Sequence, residues 1–205
     1  MNIITISREF GSGGRELGKR LAGLLGFAYY DREILTTLAH NAALDETYVE
    51  TALETGWLAR IPLTFGASFT YLPSTPHDPA HLLREENKLL RTLAQRGDCV
   101  IIGRNADLIL QSMEPFKIFV YADLEAKLAR CRAHAAKEEP VDDATLKRKI
   151  RQLDKQRANH HALLSAHAWG DKAGYHLCVN TTGRPIKTLS DQVAHYARAW
   201  FAARG

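Results

Sequence analysis

Three glycines within four residues, Gly11, Gly13 and Gly14, stand between an apolar run and a helical repeat. The run is NIITIS, residues 2–7, and it has no helical period. After the glycines, Leu17, Leu21, Leu24 and Leu25 fall at i, i+4, i+7 and i+8, one face of a helix that stops near Gly26. The chain therefore opens strand, glycine loop, helix. Such a loop can turn its backbone N–H groups inward around an anion, and the helix N-terminus adds partial positive charge. A tight turn without a ligand is the plainer alternative. Three glycines this close to a strand end favour phosphate.

The remaining pattern is consistent with that opening. Phe27–Tyr30 reads as a second strand ending at Asp31. DCVIIG (98–103), FKIFVYA (116–122) and YHLCVN (175–180) read as buried strands whose β-branched runs suit parallel strands covered on both faces. Helices are expected over about 105–112, 123–137 and 143–166, and from Pro185 onward, where Leu189, Val193, Ala197 and Trp200 share a face. Residues 31–96 read mostly helical, at Arg32–His40, Asp45–Glu54 and Ala80–Gln95. They are interrupted by the proline-rich stretch Pro62–Pro79. Five strands alternating with helices predict an α/β fold, a five-stranded parallel sheet flanked by helices. Ligands of such sheets bind at the carboxyl ends of the strands. Three of those ends carry polar groups: Ser7–Arg15, Asp31-Arg32 and Gly103-Arg104-Asn105.

The phosphate-loop pattern G-x-x-x-x-G-K-[ST] is not met. With Gly13 as its second glycine, the first glycine falls on Arg8, the lysine on Gly14 and the hydroxyl residue on Arg15. Arg15 is one residue late for the lysine but could supply the missing cation, since a guanidinium grips phosphate bidentately. Arg8 is the other candidate. Glu16 reads as a first-turn acid complementing the helix dipole, with a role at magnesium as its alternative.

The opening ITISREFGSGGRELGKRLAGLLGFAYYDREIL resembles the cytidylate kinase-like family, a branch of the P-loop nucleoside monophosphate kinases. GDCVIIGRNADLIL, FKIFVYADLEAKLARC, DKQRANHH and WGDKAGYHLCVNTT resemble its later segments, in the right order along nearly the whole chain. The resemblance implies one kinase-like domain over 1–205, with a helical acceptor-binding insertion at 31–96 and a helical lid at about 133–167. It implies ATP and Mg2+ as cofactors. Gly11, Ser12, Gly13 and Gly14 would hold the ATP phosphates, with Arg8 and Arg15 beside them. Asp31, Arg32, Arg104, Asn105 and Asp154 would meet the acceptor. At Arg32 a guanidinium stands where the family's strand carries a hydroxyl. Asn105 stands where an aspartate meets the cytosine edge; an amide both donates and accepts, so a pyrimidine remains readable. The lid pattern Asp-x-x-Arg falls on Asp154 and Arg157, with Arg151 one turn earlier.

Arg151, Asp154 and Arg157 lie at i, i+3 and i+6, a spacing read here as near one helix face. Two guanidiniums with a carboxylate between them suit stabilisation of a transferring phosphoryl group, so Arg15, Arg151 and Arg157 are the catalytic candidates. An exposed ion-pair ladder is the alternative. Residues 124–172 hold 11 Lys/Arg against 7 Asp/Glu, an excess that equals the whole chain's net +4. Part of that excess would face phosphate. Lys127, Lys137 and Lys147 read as solvated surface.

His160-His161 reads as packing or lid surface, without further metal ligands at regular spacing. Trp57, Phe65, Phe69 and Tyr71 read as core or loop packing rather than as cover for a base. Tyr196, Trp200 and Phe201 read as core or as a homodimer contact. The basic stretch is mixed with acids and lacks interleaved aromatics, which disfavours nucleic acid. No apolar run approaches the roughly 18 residues of a membrane span, and no basic n-region opens the chain. Three scattered cysteines read as reduced thiols, so a cytoplasmic protein is expected. The expected activity is transfer of the γ-phosphoryl of ATP to a nucleoside monophosphate, CMP or dCMP first. A nucleotide-binding protein with a degenerate loop that lacks transfer, and a kinase for another small acceptor, are the alternatives.

Overall fold

The computed structural model describes residues 1–31, 36, 79–134 and 142–204. Five parallel strands form one sheet in the order β2-β3-β1-β4-β5. They are β1 (Ile3–Arg8), β2 (Ala28–Tyr30), β3 (Cys99–Ile102), β4 (Phe116–Tyr121) and β5 (Leu177–Asn180). The expected α/β architecture is present. β1 is central, paired with β3 from Ile3↔Cys99 to Ile6↔Ile102 and with β4 from Ile4↔Phe116 to Arg8↔Val120.

The period-2 alternation of strand side chains splits the core into two layers. Ile3, Cys99 and Ile101 face α2 (Pro79–Gln95) and the short α3 (Ala106–Ile109), packing on Leu90, Leu93, Ala94 and Leu110. Ile4, Ile6, Val100 and Ile102 face α1 (Gly14–Leu25) and the C-terminal helix α6 (Ile186–Ala202), packing on Leu17, Leu21, Val193 and Ala197. Each fully buried Ile or Leu contributes about 1.5–3 kcal/mol of transfer free energy. Phe116 binds the far end of α6: its ring centroid lies 5.0 Å from Trp200 and 6.2 Å from Phe201. The core reading of those two residues stands.

A third, smaller cluster joins α4 (Leu124–His134) to α5 (Asp143–Ala162). Leu128, Leu146 and Ile150 are its buried members, with Phe10 of the glycine loop packed against it. α5 starts at an Asp142 cap that accepts from the Thr145 N–H (3.0 Å). It ends at Ala162, earlier than expected, where Leu163 and Leu164 become exposed and no packed face extends it. α3 is likewise shorter than expected, giving way to a 3-10 turn at Gln111–Met113. Arg32, the helices expected at 32–40 (residue 36 apart) and 45–54, most of the proline-rich stretch with Trp57, Phe65, Phe69 and Tyr71, and Lys137 lie outside the described residues. No helix among the described residues is long and apolar enough to cross a membrane.

Candidate functional site

The glycine loop leaves β1 at Arg8 and enters α1 at Gly14. Gly11 (φ 75) and Gly13 (φ 82) hold left-handed backbone, which L side chains adopt only at a cost. Gly13 also abuts Ile186: a Cβ there would lie 2.6 Å from its Cδ1. The loop is braced from three sides. The Ser12 hydroxyl donates to the Glu9 carbonyl (2.8 Å), and Thr181 Oγ1 donates to the Ser12 carbonyl (2.7 Å). Arg130 Nη2 donates to the Thr181 carbonyl (2.6 Å), and Arg130 Nη1 to the Gly11 carbonyl (3.4 Å). Sequence reading missed Thr181 and Arg130 because their partners lie far away along the chain.

The helix α5 is fastened to the loop. Asp154 Oδ1 accepts from the Phe10 N–H (2.6 Å), and Lys127 Nζ bridges Asp154 Oδ2 (3.2 Å) and Glu9 Oε2 (3.0 Å). Lys127 is only 8% exposed, so the expectation of a solvated lysine is corrected. Burial would lower its pKa, but the Glu9 and Asp154 carboxylates outweigh burial and hold the ammonium above its usual range. Asp154 was expected to meet the acceptor. Its oxygens instead face the Phe10 N–H, Lys127 and, at 3.6 Å, Arg157.

Arg157 donates to the Arg8 carbonyl (3.1 Å), and its guanidinium carbon lies 5.8 Å from the Phe10 ring centroid. Arg151 is exposed and does not reach this place. Six helical residues turn the chain by about 600°, which leaves the two arginines about 120° apart around α5. The expectation of one shared face is corrected accordingly. Arg15 is also turned outward: its side chain is 59% exposed, and its Nε meets Asp31 Oδ2 at 2.5 Å. Glu16 pairs with Arg20 one turn on (2.8 Å), in keeping with an exposed first-turn acid.

A small pocket opens beside the loop, lined by Ser7, Arg8, Arg104, Asn105, Arg157 and His160, with Gly103 and Trp169. Gly103 (φ 69), Arg104 (φ 59) and Asn105 (φ 50) are three consecutive left-handed residues at the end of β3. For the two non-glycines that conformation costs about 1–3 kcal/mol each and persists only where its surroundings enforce it. The enforcing bonds are Gly103 N–H to the Ile6 carbonyl (2.9 Å), Asn105 Nδ2 to the His160 carbonyl (3.1 Å), and the Leu108 and Ile109 N–H groups to the Asn105 carbonyl (2.9 Å each). The turn holds Arg104 and Asn105 at the pocket wall. His160 and His161 are both buried, as packing residues should be, and His161 Nε2 lies 3.8 Å from Asp107.

Burial and crowding by like charge set the electrostatics. Arg8 is pushed down to about 9, first by burial and then by Arg157, against the pull of Asp31 and with further help from Arg104 and Arg15. Several cations thus converge where an anion would relieve them. Among the described residues no cluster of three or more His, Cys, Asp or Glu stands ready for a metal ion. Mg2+ often binds through few carboxylates together with nucleotide phosphates and water, so such an ion would arrive here as part of a nucleotide complex.

Glu86 on α2 was not legible in the sequence. It is 0% exposed, and neither carboxylate oxygen has a hydrogen-bond partner among the described residues. Burial pushes its pKa up to about 7, against the opposing influence of Arg104. His160 shifts the other way, down to about 4, through burial and then the charges of Arg104 and His161. Their linkages to folding have opposite signs. The Glu86 contribution is full below its ordinary value of 4.5 and is lost as pH rises through about 7. The His160 contribution is full above 6.5 and is lost as pH falls through about 4. Glu86→Gln removes one of two opposed slopes. The melting temperature of that variant should climb from pH 4.5 to 6.5, and its stability above pH 7 should exceed the parent's by roughly 2–3 kcal/mol. A melting series that shows no gain at pH 8 refutes the assignment.

A model of the cytidylate kinase-like family matches residues 3–183. No curated protein matches the chain. Among solved structures, an uncharacterized protein from Eubacterium ventriosum is similar at 23% identity and TM-score 0.68, covering 97% of this chain and 99% of that one. Shikimate kinase from Bacteroides thetaiotaomicron is similar at 15% identity and TM-score 0.57, over 96% of this chain and 98% of that one. Shikimate kinase from Acinetobacter baumannii in complex with shikimate is similar at 15% and 0.54, over 97% and 94%. These likenesses establish a shared fold.

Proposed function

Because the chain belongs to the cytidylate kinase-like family, we propose that it is a phosphotransferase moving the γ-phosphoryl of ATP to a nucleoside monophosphate, CMP or dCMP first. The observation that carries this reading is the pocket beside the glycine loop, where Arg8, Arg104 and Arg157 meet. ATP bound with Mg2+ would supply the phosphoryl group. The loop N–H groups and the α1 N-terminus suit its phosphates. Arg104 and Asn105, held by the left-handed turn, are the acceptor-side candidates, with Arg32 proposed beside them. Arg157 reaches the pocket from the lid helix. Chemistry of this kind depends on positioning and charge stabilisation and needs no base of unusual pKa. Closure of the lid would exclude water, so that the phosphoryl group goes to the acceptor.

A second reading, a kinase for a different small acceptor, is favoured by one observation. One of the two Asn105 amide N–H groups is engaged by the His160 carbonyl, which leaves its oxygen and a single N–H to read a base. The fold is shared with a shikimate kinase in complex with shikimate, an acceptor without a base. The test offers purified protein ATP-Mg with CMP, dCMP, UMP, AMP, GMP or shikimate and measures ADP release. CMP or dCMP should exceed the other acceptors by at least about tenfold, about 1.4 kcal/mol in transition-state binding. Release with shikimate alone supports the second reading. ATP-dependent thermal stabilisation without release by any acceptor means that the chain binds nucleotide without transfer.

A further inference from the structure

Arg8 and Gly14 exchange roles in the glycine loop. In the usual phosphate loop, position 8 is glycine and position 14 is the lysine that reaches the β- and γ-phosphates. Here the arginine stands at the strand end and the glycine at the helix start. A Cβ on Gly14 would lie 2.6 Å from Arg8 Cβ and 3.1 Å from Arg8 Cγ. The stem of Arg8 therefore fills the space through which a side chain at position 14 would leave the helix. At its other end the guanidinium lies against Gly103, where a Cβ would collide with Nη1. Both contacts require glycine, one on the donor loop and one at the β3 turn. The arginine side chain thus spans from the helix start to the wall that holds Arg104.

The other cations near the loop are already engaged. Arg15 pairs with Asp31, Lys127 is locked between Glu9 and Asp154, and Arg130 holds the Gly11 and Thr181 carbonyls. Among the described residues no carboxylate or carbonyl hydrogen-bonds the Arg8 guanidinium, although it lines the pocket. A guanidinium packed into a wall of like charge, with no hydrogen-bonded anion, is a group shaped for a ligand.

We propose that Arg8 is the catalytic cation of this protein: it takes the place of the missing phosphate-loop lysine and binds the phosphoryl group in transit between ATP and the acceptor. The proposal rests on the phosphotransferase reading. In that transfer the bond from the β–γ bridging oxygen to the γ-phosphorus breaks, and an acceptor oxygen bonds to the same phosphorus. ADP departs with the bridging oxygen, and a phosphate acceptor yields no proton. A planar fork can touch two oxygens of the moving group at once, whereas a lysine meets them as a point charge.

The test compares the wild type with Arg8→Ala, Arg8→Lys and the exchange variant Arg8→Gly/Gly14→Lys. ATP affinity is measured by calorimetry and ADP release with the best acceptor, and folding is followed by melting. Arg8→Ala should keep its fold and lose about 100- to 1000-fold in ADP release, the range for removing a transition-state donor. Arg8→Lys should fall between the two. The exchange variant should recover at least about tenfold over Arg8→Ala, because removing the arginine stem opens the exit for a lysine side chain leaving the helix start. If Arg8→Ala does not fold, Arg8→Met is read in its place, since it keeps the packing over Gly14 and drops the charge. ATP affinity and ADP release both within threefold of wild type overturn the proposal. An exchange variant no better than Arg8→Ala overturns the claim that the arginine takes the lysine's place. If the wild type releases ADP with no acceptor, the phosphotransferase reading falls, and Arg8 is judged by ATP affinity alone.

Discussion

Arg157→Ala is expected to lower turnover about 1000-fold while the protein stays folded, a loss in the range of arginines that stabilise phosphoryl transfer. This side chain is oriented by the Arg8 carbonyl at 3.1 Å, Asp154 at 3.6 Å and the Phe10 ring at 5.8 Å, among other contacts. A guanidinium already positioned loses little rotamer freedom when charge develops beside it, so its stabilisation is realised in the transition state. The loss should therefore fall on kcat more than on the KM for ATP. Arg151→Ala is the matching control, since Arg151 lies exposed on another side of α5; it should stay within about threefold of wild type, less than 1 kcal/mol. Steady-state kinetics on both variants decide the matter. Equal losses at the two positions would refute the geometry proposed for the lid.

The second large effect is on stability. Lys127→Met should destabilise the protein by about 3–5 kcal/mol, because it strands the Glu9 and Asp154 carboxylates with their cation removed. For a chain of this size that corresponds to a melting temperature lower by about 10 °C. The triad ties α4, the glycine loop and α5 together, so ATP-induced stabilisation should shrink along with it. Neutralising all three groups, as Glu9→Gln/Lys127→Met/Asp154→Asn, should restore most of the loss. The amide oxygens still accept from the Ala122 and Phe10 N–H groups that the carboxylates serve now. A single variant as stable as wild type, or a triple variant no better than the single, contradicts this account.

Much of the fold was legible because its signals are local. NIITIS, DCVIIG and FKIFVYA place apolar residues at consecutive and not only alternate positions, the pattern of strands covered on both faces. The leucine spacing after the glycines could belong only to a helix with one packed face. The anion-binding role proposed for Gly11–Gly14 rests on three glycines at a strand-to-helix junction. Arg104 and Asn105 were singled out by the strand end they follow, and both line the pocket.

What misled was side-chain direction. Lys127 looked like one lysine among many in a charged helix, yet its partners Glu9 and Asp154 lie 118 and 27 residues away. Arg151 and Arg157 matched a counting rule that a helical turn of about 600° undoes, since it leaves them about 120° apart. Glu86 has no marker in its sequence neighbours; it is buried on α2, the helix that packs against β3 and α3.

The sequence by itself therefore determined the strand–loop–helix opening, the parallel sheet and the sheet end that carries the pocket. Each follows from periodicity and glycine freedom within a dozen residues. Only the tertiary structure decided which cation lines the pocket beside the loop. Arg8 and Arg15 flank the same glycines and carry the same charge. Asp31 at the end of β2 draws Arg15 outward. The bare Cα of Gly14 and Gly103, the latter contributed by the end of β3 and distant along the chain, leaves room for Arg8 to lie inward. Charge can be counted along a sequence, but the direction in which it points is set by whatever the fold packs beside it.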